Sequence, residues 1–296
     1  MRALTRLAGL AIALSLFACL PSTAQSFRFV VYGDTRDGHE AHRNLVNLIL
    51  KQNPEFVLQT GDLVHGSTPR LWSIYDAITA PMRARFPVYL ARGNHDVGGH
   101  LYTDHVTQPF TSGNKLYYSF DRSGSHFISL AVDELTAYGR GSKQYAWLSG
   151  DLARAAAGSA RHIFVFFHVA PYSIGSHGSD LDVRKELTPL FDRYGVTAVF
   201  NGHDHNYYRT VRNGIPYVVS GGGGAPLYPC NPREGAIPGD KWESVHHIVV
   251  CDLAGDRLTM TALREDGSRI EQFTTVHHRT RQVRASATSA HRAAHV

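Results

Sequence analysis

Five short apolar runs in this chain each end in a polar cluster, and that arrangement limits the fold more than any other feature. Gly33-Asp34 follows Phe27–Tyr32, Gly61-Asp62 follows Phe56–Gln59, and Gly93-Asn94-His95-Asp96 follows Val88–Ala91. His168 closes the run Arg161–Phe167, and Gly202-His203-Asp204-His205 follows Thr197–Phe200. The runs have the length and composition of buried strands. Between the first three, His39–Lys51 and Pro69–Arg85 carry apolar residues at helical spacing, such as Leu45, Leu48 and Ile49. This β-α-β-α-β opening predicts neighbouring parallel strands joined by right-handed crossovers. Side chains beyond the carboxyl ends of such strands converge on one crevice, so the clusters predict a shared site. The glycine before each acid or Asn is expected to permit the sharp turn there.

Further along, Lys115–Phe120 and His126–Val132 predict a hairpin, and Lys143–Ala157 and Asp182–Tyr194 predict helices. Tyr207–Arg212, Pro216–Ser220, Val245–Asp252 and Arg257–Leu263 predict a strand-rich end. No repeat or linker interrupts this stretch, so residues 25–276 are expected to form one domain. A chain of 296 residues with 43% apolar content can bury a sizeable core.

The two ends differ from that domain. Residues 1–24 have the pattern of a signal peptide: Arg2 and Arg6, an apolar Leu7–Leu20, then Ser22-Thr23-Ala24 before Gln25. The expectation is an exported protein, periplasmic or secreted. Leu16-Phe17-Ala18-Cys19 loosely resembles a lipoprotein site, and anchoring through Cys19 is the alternative. No stretch is long enough for a transmembrane segment. Residues 277–296 form a basic tail without apolar periodicity, expected to be disordered. Six of the 30 basic residues lie in these ends, which hold no acid, leaving 24 against 25 acidic residues between them. The basic balance therefore belongs to the ends, and no nucleic acid is required as a partner. For Cys230 and Cys251, a disulfide and two separate thiols both stay open.

The convergent donors are Asp34, Asp62, Asn94, His168, His203 and His205. Oxygen and imidazole donors without thiolate suit Zn, Mn or Fe, and argue against a structural cysteine site. Six donors exceed what one tetrahedral ion uses, so two ions sharing a carboxylate fit better, with Asp62 as the bridge. The remaining histidines, among them His42, His100, His105, His126 and His162, lack ligand spacing. Trp72 and Trp147 fall at helical core positions. No P-loop, Rossmann fingerprint or Gly-x-Ser-x-Gly elbow is present.

The series GDTR (33–36), GDLVHG (61–66), GNHD (93–96), FFHVAPYS (166–173) and GHDHNYYR (202–209) resembles the calcineurin-like metallophosphoesterases, in particular their bacterial purple-acid-phosphatase-like branch. The Gly-rich SGGGGAPLY (220–228) adds to the likeness. The resemblance implies a four-layer α-β-β-α sandwich of two mixed sheets with helices outside. It implies one metal held by Asp34, bridging Asp62 and His205, and a second by Asp62, Asn94, His168 and His203. A water or hydroxide bridging the two ions, divalent or trivalent, would attack a small-molecule phosphate ester, either a phosphomonoester or a phosphodiester. His95 would contact the phosphate or protonate the leaving oxygen, and Asp96 would orient its imidazole.

One position departs from the family. Where it usually carries His two residues after the first Asp, this chain has Arg36, which cannot ligate a metal. Purple acid phosphatases place Tyr three residues after the bridging Asp, and here that place holds His65, which becomes the expected replacement ligand. Arg36, His177 and Arg209 are expected to line the mouth and bind phosphate. No protein partner is evident. The rival readings are a catalytically weak metal- and phosphate-binding protein, which Arg36 favours, and an exported nuclease tethered by the basic tail.

Overall fold

The computed structural model describes residues 26–277, so the signal-peptide, lipidation and tail expectations lie outside the described residues, except His277. The expected opening is present as β1 (Ser26–Tyr32), α1 (His39–Gln52), β2 (Phe56–Gln59), α2 (Pro69–Arg83) and β3 (Val88–Leu90). A short α3 (Leu101–His105) and strands β4 (Ser112–Gly113), β5 (Tyr118–Arg122) and β6 (Ser125–Ser129) follow. Then come α4 (Lys143–Ala157), β7 (His162–Phe166), α5 (Leu181–Tyr194) and β8 (Ala198–Asn201). The end is β9 (Tyr207–Arg212), β10 (Ile215–Ser220), β11 (Lys241–Glu243), β12 (His247–Ala254), β13 (Arg257–Arg264) and β14 (Arg269–Val276).

These strands form two mixed sheets. One has six strands in the order β14-β13-β12-β1-β2-β3, the other eight in the order β11-β9-β10-β8-β7-β6-β5-β4. β1, β2 and β3 pair in parallel, as do β6, β7, β8 and β10. Strand alternation explains how the sheets stack. In β7, Phe164 and Phe166 join the cluster between the sheets, whereas Ile163 and Val165 join Leu148, Leu152, Leu187 and Phe191 of α4 and α5. Across the inner layer, Phe29 stacks on Phe56 at 5.4 Å and meets Phe127 and Phe164 edge-on at 5.5 and 5.3 Å. On the other face of β1, Tyr32 reaches α1 and α2, its hydroxyl 3.3 Å from His42 Nε2 and 3.9 Å from Met82 Sδ. The helices are outside and the sheets face to face, as expected.

Two features of the strands depart from expectation, and the open question about the cysteines closes. The hairpin strands are shorter than predicted: Asn114 Oδ1 accepts from the backbone N–H groups of Leu116 and Tyr117 at 2.8 and 3.2 Å, which holds that segment in a turn. β14 was not predicted. It is an edge strand whose residues alternate between exposed and half-buried after Ile270, so it lacks a strong apolar signal. Cys230 and Cys251 are free thiols, the first partly exposed and the second buried.

Candidate metal centre

The backbone at the strand ends is strained where the donors sit. Asp34, Asp62 and His203 adopt left-handed φ values of 59°, 52° and 74°, which non-glycine residues rarely do. The loops brace one another: Asp34 N–H donates to the Gly61 carbonyl at 2.9 Å, and Thr35 N–H to the Asp62 carbonyl at 3.0 Å. The expected role of the glycines holds at Gly61, whose φ is 99°, and is corrected at the others. Gly33, Gly93 and Gly202 are not left-handed. A Cβ at these positions would instead run into Thr60 Oγ1, Asp62 Oδ1 and Asp34 Oδ2 respectively. These glycines permit close approach, and the acids and His203 carry the turn.

Six side chains are brought together as expected. Asp34, Asp62 and His168 each bring one donor atom to within 4.8 Å of the others, and all three are buried. His168 Nε2 lies 3.3 Å from Asp62 Oδ1, 3.0 Å from Asn94 Oδ1 and 3.1 Å from His203 Nδ1. His205 Nε2 lies 3.6 Å from Asp34 Oδ1. The second nitrogen of two rings is fixed outside the cluster: His168 Nδ1–H donates to the Thr60 carbonyl at 2.9 Å and His205 Nδ1–H to the Pro226 carbonyl at 2.7 Å. Each such bond assigns the proton to Nδ1 and leaves Nε2 with a lone pair directed inward.

The electrostatics favour a cation. Burial, reinforced by the Asp62 carboxylate, raises Asp34 well above the usual carboxylate range. Burial lowers His168, and it pushes His203 down to about 2 and His205 to about 4, so the rings are neutral near pH 7 as metal ligands must be. With Nδ1 protonated and the ring neutral, His168 Nε2 has no hydrogen to share with Asn94 Oδ1. As placed, these are two acceptors 3.0 Å apart, an arrangement that a bridging cation satisfies. Asp62, Asn94, His168 and His203 thus fit one divalent ion by donor type and protonation.

Other expected residues fall elsewhere. Asp96 does not contact the His95 ring: Asp96 Oδ1 accepts from Leu63 and Val64 N–H at 2.8 and 3.2 Å, and Oδ2 from Gly93 N–H at 2.8 Å. Its place is under the loops, where burial and Asp62 push it up to about 8. The His95 imidazole is instead oriented by the His65 carbonyl, 2.8 Å from Nδ1, with Nε2 3.8 Å from Asp62 Oδ2. The His65 ring is exposed and its Nδ1 faces Asp37 Oδ2 at 3.0 Å, away from the donor cluster. His65 does not take the place of the missing ligand. Arg209 is buried on β9, where Nε and Nη2 donate to Glu271 at 2.8 and 3.0 Å and the guanidinium covers Phe273. It is a packing ion pair and not a phosphate contact.

His177 does sit at the mouth, exposed and stacked on His203 with ring centroids 4.0 Å apart. Arg36 enters the cluster itself. Its Nε is 3.4 Å from Asp62 Oδ2 and its Nη2 is 3.5 Å from His205 Nε2. Three contributors were not anticipated from sequence. Asp37 binds Arg36 Nη1 at 2.8 Å, Tyr228 stacks on His205 at 4.0 Å, and Asp204 accepts from His177 N–H at 2.8 Å and from the Ser173 hydroxyl. Asp37 directly follows Arg36 and could have been paired with it, whereas nothing local ties Tyr228 to His205.

A family model for calcineurin-like phosphoesterase matches residues 27–207. Purple acid phosphatase 15 of Arabidopsis thaliana is 29% identical over 181 residues, covering 54% of this chain and 34% of that protein. Serine/threonine-protein phosphatase CPPED1 of Bos taurus is 32% identical over 195 residues, covering 60% of this chain and 62% of that one. The chain therefore spans less than two thirds of the length of these relatives. Among solved structures, purple acid phosphatase PPD1 from yellow lupin superposes with a TM-score of 0.73 at 20% identity, covering 87% of this chain and 55% of that chain. GAP50 of Plasmodium superposes with a TM-score of 0.68 at 17% identity, covering 91% and 94%. The fold, the donor cluster beyond its strand ends and the matched span from 27 to 207 agree: this chain belongs to the calcineurin-like phosphoesterase family.

Proposed function

We propose that the protein is a metal-dependent phosphoesterase that hydrolyses phosphomonoesters or phosphodiesters. The observation that carries this reading is the junction of His168 Nε2, Asn94 Oδ1 and Asp62 Oδ1 beside Asp34, which gathers nitrogen and oxygen donors of the kind a metal site uses. An ion held there supplies a Lewis acid for the phosphoryl oxygen and lowers the pKa of a bound water. His95, part-exposed at the rim, has Nδ1–H committed to the His65 carbonyl, so Nε2 is the atom that can take or give a proton to an ester oxygen. His177 and His203 line a cleft with Asp180 and Asp182, which offers the leaving group a polar wall. Arg36 Nε is buried against Asp62 Oδ2 at 3.4 Å, so the guanidinium places a fixed positive charge beside the donor cluster, which favours an anionic ester.

The two-ion centre expected from the resemblance is supported on one side only. The residues Asp62, Asn94, His168 and His203 fit an ion. The residues Asp34, Asp62 and His205 share their space with the Arg36 guanidinium and do not fit one in the same way. Zn, Mn and Fe all suit the nitrogen and oxygen donors. A phosphate-binding protein without turnover is the second reading. Arg36 favours it, and the position of His95 weighs against it.

Export belongs to the same proposal and rests on the pattern of residues 1–24. No helix among the described residues is long and apolar enough to cross a membrane. Fractionation with N-terminal sequencing tests it: a mature chain starting near Gln25 is expected, and an uncleaved cytoplasmic chain opposes it. For the activity, a panel of phosphomonoesters and phosphodiesters assayed with each metal is the test. Turnover of at least one class is expected, and binding without turnover across the panel favours the second reading.

A further inference from the structure

Asp62 divides its carboxylate between the donor cluster and Arg36. Oδ1 faces His168 Nε2 at 3.3 Å and accepts from His95 N–H at 3.0 Å. Oδ2 faces Arg36 Nε at 3.4 Å. The same guanidinium puts Nη2 3.5 Å from His205 Nε2, so it lies against two of the three donors that a first ion would need. It is held there. Nη1 donates to Asp37 Oδ2 at 2.8 Å, His65 Nδ1 meets the same oxygen at 3.0 Å, and the Arg36 side chain is only 10% exposed. Thr35 beside it is tied to the β2 loop through its N–H on Asp62 and its hydroxyl on Leu63. A guanidinium keeps its proton under all physiological conditions and has no lone pair for a metal.

We propose that Arg36 takes the place of one of the two cations: the chain binds a single divalent ion, at Asp62, Asn94, His168 and His203, and the Arg36 guanidinium supplies the second positive charge. The fixed charge neutralises Asp62 Oδ2 and Asp34, which would otherwise need a second ion to be buried together. It also leaves a planar donor next to the ion, where a phosphate oxygen can be held. This inference rests on the metal-site reading above, but not on turnover.

The test is metal stoichiometry on the full chain, loaded with excess Mn(II), freed of loosely held ions and analysed by elemental mass spectrometry. One ion per chain is expected, with the Mn(II) paramagnetic resonance spectrum of an isolated ion. Arg36→His removes the guanidinium and supplies an imidazole, and should raise the ratio to two with the exchange coupling of a carboxylate-bridged pair. Two tightly held, coupled ions in the unaltered protein overturn the proposal. So does a folded Arg36→His variant that still holds one. If Arg36→His does not fold, the spectrum and ratio of the unaltered protein decide alone. One ion without phosphoesterase activity would remove the proposed function and leave this inference standing, whereas two ions with activity would do the reverse.

Discussion

The carbonyl of Thr60 accepts the Nδ1 proton of His168 at 2.9 Å, and this one bond leaves a buried imidazole with Nε2 free to act as a donor. It fixes the tautomer, aims Nε2 at Asn94 and Asp62, and belongs to the same β2 loop that delivers Asp62. Replacing His168 by Ala removes a ligand outright. Metal affinity should fall by more than the roughly 10- to 100-fold typical of losing a partner behind a ligand. Competition against a chelator of known affinity measures it, and unchanged retention of the ion would remove His168 from the site.

His95 touches the cluster only through its backbone N–H on Asp62 and its Nε2 at 3.8 Å. His95→Ala should therefore keep the bound ion and lower the rate of ester hydrolysis by about 10²- to 10⁴-fold, the usual contribution of a positioned acid or base. Metal analysis and rate are read on the same sample. A rate within a few-fold of the unaltered protein would contradict the assignment.

Gly93 is required by contact, since a Cβ there would meet the carboxylate and backbone of Asp62. Gly93→Ala should cost about 1–3 kcal/mol in stability as an overpacked site and weaken metal binding by displacing Asp62. Thermal unfolding with and without metal distinguishes the two effects: the stabilisation given by metal should shrink in the variant.

Arg209, buried, and Glu271, half-buried, form an ion pair far from this chemistry in role. Arg209→Ala should lower stability by less than the roughly 3–5 kcal/mol of a fully buried pair, because Glu271 keeps some access to water. The Michaelis constant for a phosphate ester should not change. A selective rise in that constant at unchanged stability would restore Arg209 as a phosphate contact.

A pH effect follows from His126. Burial opposes its charged form, but hydrogen bonds and charge from Asp151 and Asp121 outweigh this and raise it above the ordinary value. Arg154 shares Asp151 at 2.5 Å. A raised native value means that the stabilisation is complete below the unfolded histidine value of about 6.5 and is lost as pH rises through the native one. Denaturant unfolding from pH 6 to 9 should show this decline, and His126→Gln should flatten it. An equal slope in the variant would assign the decline to other groups.

The sequence made the donor cluster legible because each donor follows a strand end, and parallel pairing within each of the two sheets puts those ends on the same side. Asp34, Asp62, Asn94, His168, His203 and His205 were readable for that reason. Contacts made through loops were not. His65 is close to Asp62 along the chain, yet its carbonyl serves His95 while its ring turns to Asp37. Asp96 is next to His95, but three backbone N–H groups claim its carboxylate. Arg209 follows the metal motif by a few residues, and strand alternation carries it onto Glu271 of β14, an edge strand with no clear apolar signature. Among the strands, β4, β11 and β14 escaped reading: the first two are very short, and polar residues cover most of β14.

The most direct test of the account is hydrolysis of p-nitrophenyl phosphate and bis(p-nitrophenyl) phosphate by the full chain. The protein is stripped by chelation and then reloaded with Mn, Zn or Fe, with His168→Ala treated in parallel. No turnover is expected after stripping, with recovery on reloading at least one metal and no recovery in the variant at the same metal concentration. Turnover that survives complete stripping, or that returns equally in His168→Ala, would contradict it.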